Sequence, residues 1–115
     1  MYTVREKSVQ LFRDYQGKEP YSLWLTKLDK EIQRRIISRV ARLELGNYGD
    51  YKKLSNEIIE LRFTFGAGYR IYFAEDGGAI VILLCGGDKK SQSQDIENAS
   101  KYWQEYKENK YGRIS

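Results

Sequence analysis

The chain has 115 residues, 41% hydrophobic and 31% charged, with a formal net charge of +4 and a single cysteine. That length suits one domain, 1–115, with its own core, and the mild basic excess suits a polyanionic or acidic partner. Histidine is absent from the whole sequence, which excludes a serine–histidine triad and removes the commonest general acid–base and metal ligand.

Taken in chain order, the first expected element is a strand over Tyr2–Asp14, where Val4, Val9 and Leu11 partly alternate. The N-terminus has no secretory apolar core, and no window reaches the ~18 apolar residues of a membrane span. Pro20 is placed for the first turn of a helix, followed by Leu25, Leu28 and Ile32 at spacings of three and four. Asp29 is a candidate cap for a second helix. That helix carries Ile32, Ile36, Val40 and Leu43 on one face and stops at Gly46-Asn47, so the pair forms a helical hairpin. Arg35, Arg39 and Arg42 line up beside the apolar face. This stripe reads either as a solvated flank or as a docking surface for an acidic partner or nucleic acid, and spacing does not separate the two.

A loop over 47–56 carries Lys52 and Lys53. A strand follows, with Ile59, Leu61, Phe63 and Phe65 in one phase and Ile58, Glu60, Arg62 and Thr64 in the other. After the turn Gly66-Ala67-Gly68, the next strand alternates Tyr69, Ile71 and Phe73 with Arg70, Tyr72 and Ala74. Asp76-Gly77-Gly78 suits a hairpin turn. The run from Ala79 to Cys85 is apolar without alternation, as in a strand buried on both faces, and Gly86-Gly87 breaks it. Cys85, inside that run, reads as a small buried hydrophobe, and a lone cysteine fits a reducing cytoplasm. Ser91 with Gln94 matches a capping box. The helix it opens carries Ile96, Ala99, Trp103 and Tyr106 on one face, and 107–115 reads as a fraying polar tail. The fold class is α+β, with helices expected on one side of a sheet.

The residues with chemical potential lie on the polar phase. Arg62 and Arg70 fall on consecutive antiparallel strands. Two guanidiniums on one surface repel unless a carboxylate such as Glu60 pairs with them, and a phosphodiester matches their fork geometry. Tyr72, in the same phase, is placed to stack a base. In the loop Gly86–Lys90 the glycines permit close backbone approach, and Lys89 and Lys90 add charge before a helix N-terminus. The plainer reading of this loop is a chain reversal with surface lysines. Lys52 and Lys53 are placed to close the other side. No metal cluster is visible, and no metal or cofactor is expected. The chemistry left is phosphodiester transfer by positioning and charge stabilisation, in which an RNA 2′-hydroxyl attacks the neighbouring phosphate.

ELRFTFGAGYRIYF, followed by LLCGGDKKSQSQDIENASKYW, resembles the phage-derived Gp49-like, HigB-type branch of the RelE/ParE toxin superfamily. The resemblance extends over the helical hairpin, the GNYGDYKKL loop, the strands and the last helix. It implies a small curved antiparallel sheet (RelE-like) with an N-terminal helical hairpin and a C-terminal helix. It also implies the toxin of a type II toxin–antitoxin system. Such a toxin is a metal-independent endoribonuclease acting on ribosome-bound mRNA and leaving a 2′,3′-cyclic phosphate. The implied partners are the ribosome, mRNA and a small helix-turn-helix, HigA-like antitoxin, with operator DNA met only through that antitoxin and no membrane. Carried residue by residue, Arg70 matches the strand arginine of RelE-type sites. Lys90 occupies the region of their second basic residue, and Lys52 or Lys53 is a looser counterpart of their lysines. The tyrosine of RelE-type sites falls near Ile96 here, which reads as core, and the histidines of other HigB-type members are missing. The nuclease then depends on Asp88, Lys89 or Tyr72 instead, or its activity is weak, and the general base is left open. The antitoxin is expected on the stripe of Arg35, Arg39 and Arg42 or over the sheet site. ParE-type members of the superfamily inhibit gyrase, so gyrase inhibition and non-catalytic RNA or protein binding stand as alternatives.

Overall fold

The computed structural model describes residues 6–112, so Tyr2, Thr3 and Val4 of the expected first strand lie outside the described residues. The elements are β1 (Ser8–Leu11), α1 (Pro20–Leu25), α2 (Lys30–Leu43), β2 (Tyr51–Lys53), β3 (Ile59–Arg62), β4 (Arg70–Asp76), β5 (Ile80–Gly87) and α3 (Gln92–Tyr111). Pro20 does open α1, where its missing N–H removes no helical bond. Asp29 stands at the cap position of α2, but its side chain makes no capping bond. Its carbonyl accepts from Gln33 N. Past the end of α2, Gly46 takes a φ of +78°. This lets the amides of Gly46 and Asn47 turn back onto the Leu43 and Arg42 carbonyls.

The five strands form one sheet in the order β1-β5-β4-β3-β2. β1 runs parallel to β5, and the other neighbours are antiparallel. β2 is an addition to the expected set. It is an exposed edge of three residues inside what reads as a loop. Gly86 and Gly87 do not break β5. They pair with Ile71 and Arg70 as its last two residues.

Helices cover both faces of the sheet, not one. One core joins Ile59, Leu61, Phe63, Ile71, Phe73, Val81 and Leu83 to Tyr21, Ile36 and Leu43 of the hairpin. The second joins Ile58, Tyr72, Ala74, Ile82 and Leu84 to Ala99 and Trp103 of α3. The other phase of the strands is therefore also apolar over most of its length, and α3 covers it. β5 feeds both cores, as its unalternated sequence requires. Among the described residues no helix is long and apolar enough to cross a membrane.

Of the polar tail expected over 107–115, residues through Tyr111 continue α3, and 113–115 lie outside the described residues. The Tyr106 hydroxyl and Lys110 Nζ donate to Asp76 Oδ2 at 2.8 and 2.7 Å, and the Tyr111 hydroxyl donates to Oδ1. These bonds fasten the last turns of α3 to the β4–β5 hairpin. They hold the Asp76 carboxyl down at about 2, the Lys110 bond being the largest cause.

Candidate functional site

Where β3 and β4 meet the first turn of α3, their second face turns polar. Arg62 stands directly opposite Arg70, Glu60 opposite Tyr72, and Lys52 on β2 opposite Glu60. Residues directly opposed across strands share a face. Lys52, Arg62 and Arg70 therefore lie around Glu60. Lys53 pairs with Ile59, whose side chain enters the hairpin-side core, so it falls on the other face. The register thus separates the two lysines that the sequence left equivalent.

Glu60 is fully buried. Its Oε1 accepts from Arg62 Nε at 2.8 Å. Its Oε2 accepts from the Tyr72 hydroxyl at 3.0 Å and from Gln92 Nε2 of α3 at 2.9 Å. Burial pushes this carboxyl up, but the bonds from Arg62, Gln92 and Tyr72 together outweigh it and hold it below the usual carboxylate range. Arg70 is held differently. Its Nη1 donates to the Gly68 carbonyl at 2.9 Å. Its Nε lies 3.6 Å from Glu60 Oε2, an ion-pair distance too long for a hydrogen bond. That buried Nε has no hydrogen-bond acceptor among the described residues. The repulsion expected between the two arginines is thus relieved by one carboxylate shared between two guanidiniums, and a net positive charge remains.

Tyr72 is not a stacking platform. It is fully buried, and burial, reinforced by Glu60, pushes its hydroxyl well above the ordinary tyrosine range. The half of its strand phase nearest α3 is core, so its ring packs inward. Asp88 is also occupied, since its Oδ1 accepts from the amides of Lys90 and Ser91. It shapes the loop between β5 and α3 as a turn-forming aspartate does. Lys89 and Lys90 are exposed on that loop. Lys89 donates its amide to Ala67 of the β3–β4 turn, which sets it beside the Arg70 end of the site.

The two glycines of β5 are not an open cradle. A Cβ on Gly86 would lie 2.3 Å from the Trp24 ring, and one on Gly87 would lie 1.8 Å from Asp95 Oδ2. The protein's own side chains fill both spaces. The capping box is absent as well. Ser91 Oγ donates to Asp95 Oδ2, while Gln94 donates to Asn98. Cys85 is buried, and burial pushes its thiol up to about 12. Ile96 packs against the α3-side core.

The profile of the family described as "Phage derived protein Gp49-like (DUF891)" matches residues 23–107, from within α1 into α3. The chain belongs to the Gp49-like family. A Haemophilus influenzae protein, named only as uncharacterized, is 44% identical over 86 residues, covering 74% of this chain and 87% of its own length. The Gp49-like family is associated with the toxins of toxin–antitoxin systems.

In this Gp49-like chain the arginine stripe of α2 does not act as a unit. Arg39 is spent on the fold. It donates to the carbonyls of Arg62, Tyr48 and Asp50 at 2.7, 3.1 and 2.9 Å, and its guanidinium lies over the Phe63 ring. Burial lowers its pKa. Arg35 is exposed, and its guanidinium sits 3.7 Å from the centre of the Phe65 ring. Arg35, Arg39 and Arg42 line a groove of about 180 Å³ with Phe63, Thr64 and Phe65. Sequence reasoning missed Gln92, which meets Glu60 only because α3 crosses the sheet there. It also missed the depth of Glu60, which sits in a polar phase and reads as exposed.

Proposed function

We propose that this Gp49-like protein is the toxin of a type II toxin–antitoxin system and a metal-independent endoribonuclease acting on ribosome-bound mRNA. The observation that carries the reading is the cationic face of Lys52, Arg62 and Arg70 around a single carboxylate, which leaves a net positive charge. A guanidinium fork matches phosphodiester oxygens, and the part-exposed Arg62 side chain keeps its terminal N–H groups free of Glu60.

The reaction is transesterification. The RNA 2′-oxygen forms a bond to the adjacent phosphorus, and the bond from phosphorus to the 5′-oxygen breaks. The 2′-hydroxyl gives up its proton, and the leaving 5′-oxygen takes one. Arg62 and Arg70 stabilise the charge that builds on the non-bridging oxygens. Lys52 and the exposed Lys89 and Lys90 hold the flanking phosphates. DNA lacks the nucleophile and is not cut.

The partner that silences the toxin is a helix-turn-helix antitoxin. Its acidic segment lies along the groove between α2 and Phe63–Phe65, with Arg35 and Arg42 as the contacts. Arg39 serves there as support.

The test is primer extension on mRNA translated in vitro with the purified protein. Codon-phased cuts with 2′,3′-cyclic ends are expected, and Arg70→Ala abolishes them together with growth arrest while still binding the antitoxin. Intact RNA with inhibited gyrase supercoiling would assign the protein to gyrase instead. A fully toxic Arg70→Ala protein would move the site elsewhere.

A further inference from the structure

We propose that Glu60 is a positioning residue, a fixed buried anion that aims Arg62 and Arg70 at the phosphate and takes no part in proton transfer. The turnover arm of this proposal rests on the RNA-cleavage reading above, whereas its binding arm does not.

The geometry favours positioning over a base. A general base needs an oxygen free to receive a proton. Both oxygens of Glu60 are engaged, Oε1 by Arg62 and Oε2 by Tyr72 and Gln92, and the residue has no exposed surface. A proton from the 2′-hydroxyl would have to displace one of these donors. Three elements, β3, β4 and α3, converge on this carboxylate. Its own donors tie it down, and it ties Arg62 by the Nε edge. The bond consumes that one N–H and leaves the terminal amino groups of Arg62, a side chain 38% exposed, for a ligand. Arg70 is anchored by Nη1 to Gly68, and its Nε faces Glu60 just beyond bonding reach. The carboxylate thus fixes the direction of two cations that would otherwise separate. Preorganised donors of this kind act on the transition state because they need no reorganisation at the moment of reaction.

A fixed anion beside two cations also weakens their hold on a ground-state phosphate. Removing its charge should therefore tighten simple anion binding while harming turnover. A merely structural residue would lose both, and a base would lose turnover together with the acidic limb of the pH profile.

The experiment compares wild type with Glu60→Gln, Tyr72→Phe and Gln92→Ala. Inorganic phosphate is the binding probe, followed by NMR at the arginine Nε–H groups, and single-turnover cleavage of ribosome-bound mRNA is measured across pH. For Glu60→Gln the proposal expects phosphate binding as tight as wild type or several-fold tighter. The Arg62 Nε–H signal should move, cleavage should slow by about tenfold or more, and the acidic limb should stay in place. Gln92→Ala and Tyr72→Phe keep the charge and loosen its seat, so they should slow cleavage several-fold with phosphate affinity unchanged. They decide the matter if Glu60→Gln does not fold. Unmoved arginine signals, phosphate affinity lost along with turnover, or a vanished acidic limb would each overturn the proposal. If wild type cuts no RNA, the cleavage reading falls, and the phosphate and NMR measurements still decide the role of Glu60.

Discussion

Gly86→Ala tests whether the paired glycines of β5 serve packing or a ligand. The added Cβ would sit 2.3, 2.5 and 2.6 Å from three atoms of the Trp24 ring. All three distances are far inside van der Waals contact. The ring has little freedom to retreat, because Trp24 packs into the hairpin-side core with Tyr21 and Tyr69 around it. Overpacking of this kind costs about 1–3 kcal/mol. For a domain of this size 1 kcal/mol moves Tm by about 4 °C, so a drop of roughly 4–12 °C is expected. The assay is thermal unfolding of Gly86→Ala, Trp24→Leu and the double variant. Because the two sites are in contact, the double variant should recover about 1–2 kcal/mol relative to additivity. A Gly86→Ala protein as stable as wild type, or strict additivity, would refute the packing account. Unchanged stability with lost phosphate binding would return the glycines to the ligand.

The other expectations are specific to single residues. Lys52→Ala should weaken RNA binding several-fold in a filter or anisotropy titration, and Lys53→Ala should leave it unchanged, because only Lys52 shares the face of Glu60. Arg39→Ala removes donors to three carbonyls and should cost about 2–3 kcal/mol in urea unfolding, whereas Arg42→Ala should stay within about 0.5 kcal/mol. The Asp76 carboxyl titrates at about 2 in the folded chain, against about 3.9 when unfolded. Its contribution to stability is therefore complete above about pH 4 and is lost as pH falls toward 2. Asp76→Asn should flatten that part of an acid-unfolding curve and release the last turn of α3 to faster amide exchange.

Much of the fold is legible because alternation reports strand phase directly. Ile59, Leu61, Phe63, Ile71 and Phe73 could be assigned to one core from period two alone, and β5 reads as doubly buried from its unbroken apolar run. The site was legible in part for the same reason, since Arg62 and Arg70 share a phase. Phase does not reveal how far a covering helix extends. Tyr72 and Arg70 alternate with the same neighbours, yet Tyr72 is fully buried and Arg70 keeps part of its side chain exposed. Partners distant in sequence were equally hidden. The carbonyls that hold Arg39 belong to Tyr48, Asp50 and Arg62, and the anchor of Lys110 and Tyr111 is Asp76. The ring that fills the space at Gly86 comes from α1. β2 escaped because three exposed residues, Tyr51-Lys52-Lys53, carry no periodicity to read. Each miss is a contact set by tertiary packing, which local pattern does not encode.

The position of β1 has a consequence for how the molecule comes into being. Ser8–Leu11 lies alongside Ile80–Leu83, with both hairpin helices and three other strands between them in the chain. Emerging from synthesis in order, the first strand finds no partner until β5 has formed, and β5 itself needs β4 for its other edge. Closure is thus late and long-range, which makes assembly slow relative to a helical protein of equal length. Gln92 reaches Glu60 only after β5 is in place. A nascent chain cut short before α3 would carry Arg62 and Arg70 without the contact that seats their shared carboxylate, so the arginine pair acquires its final geometry only near the end of folding.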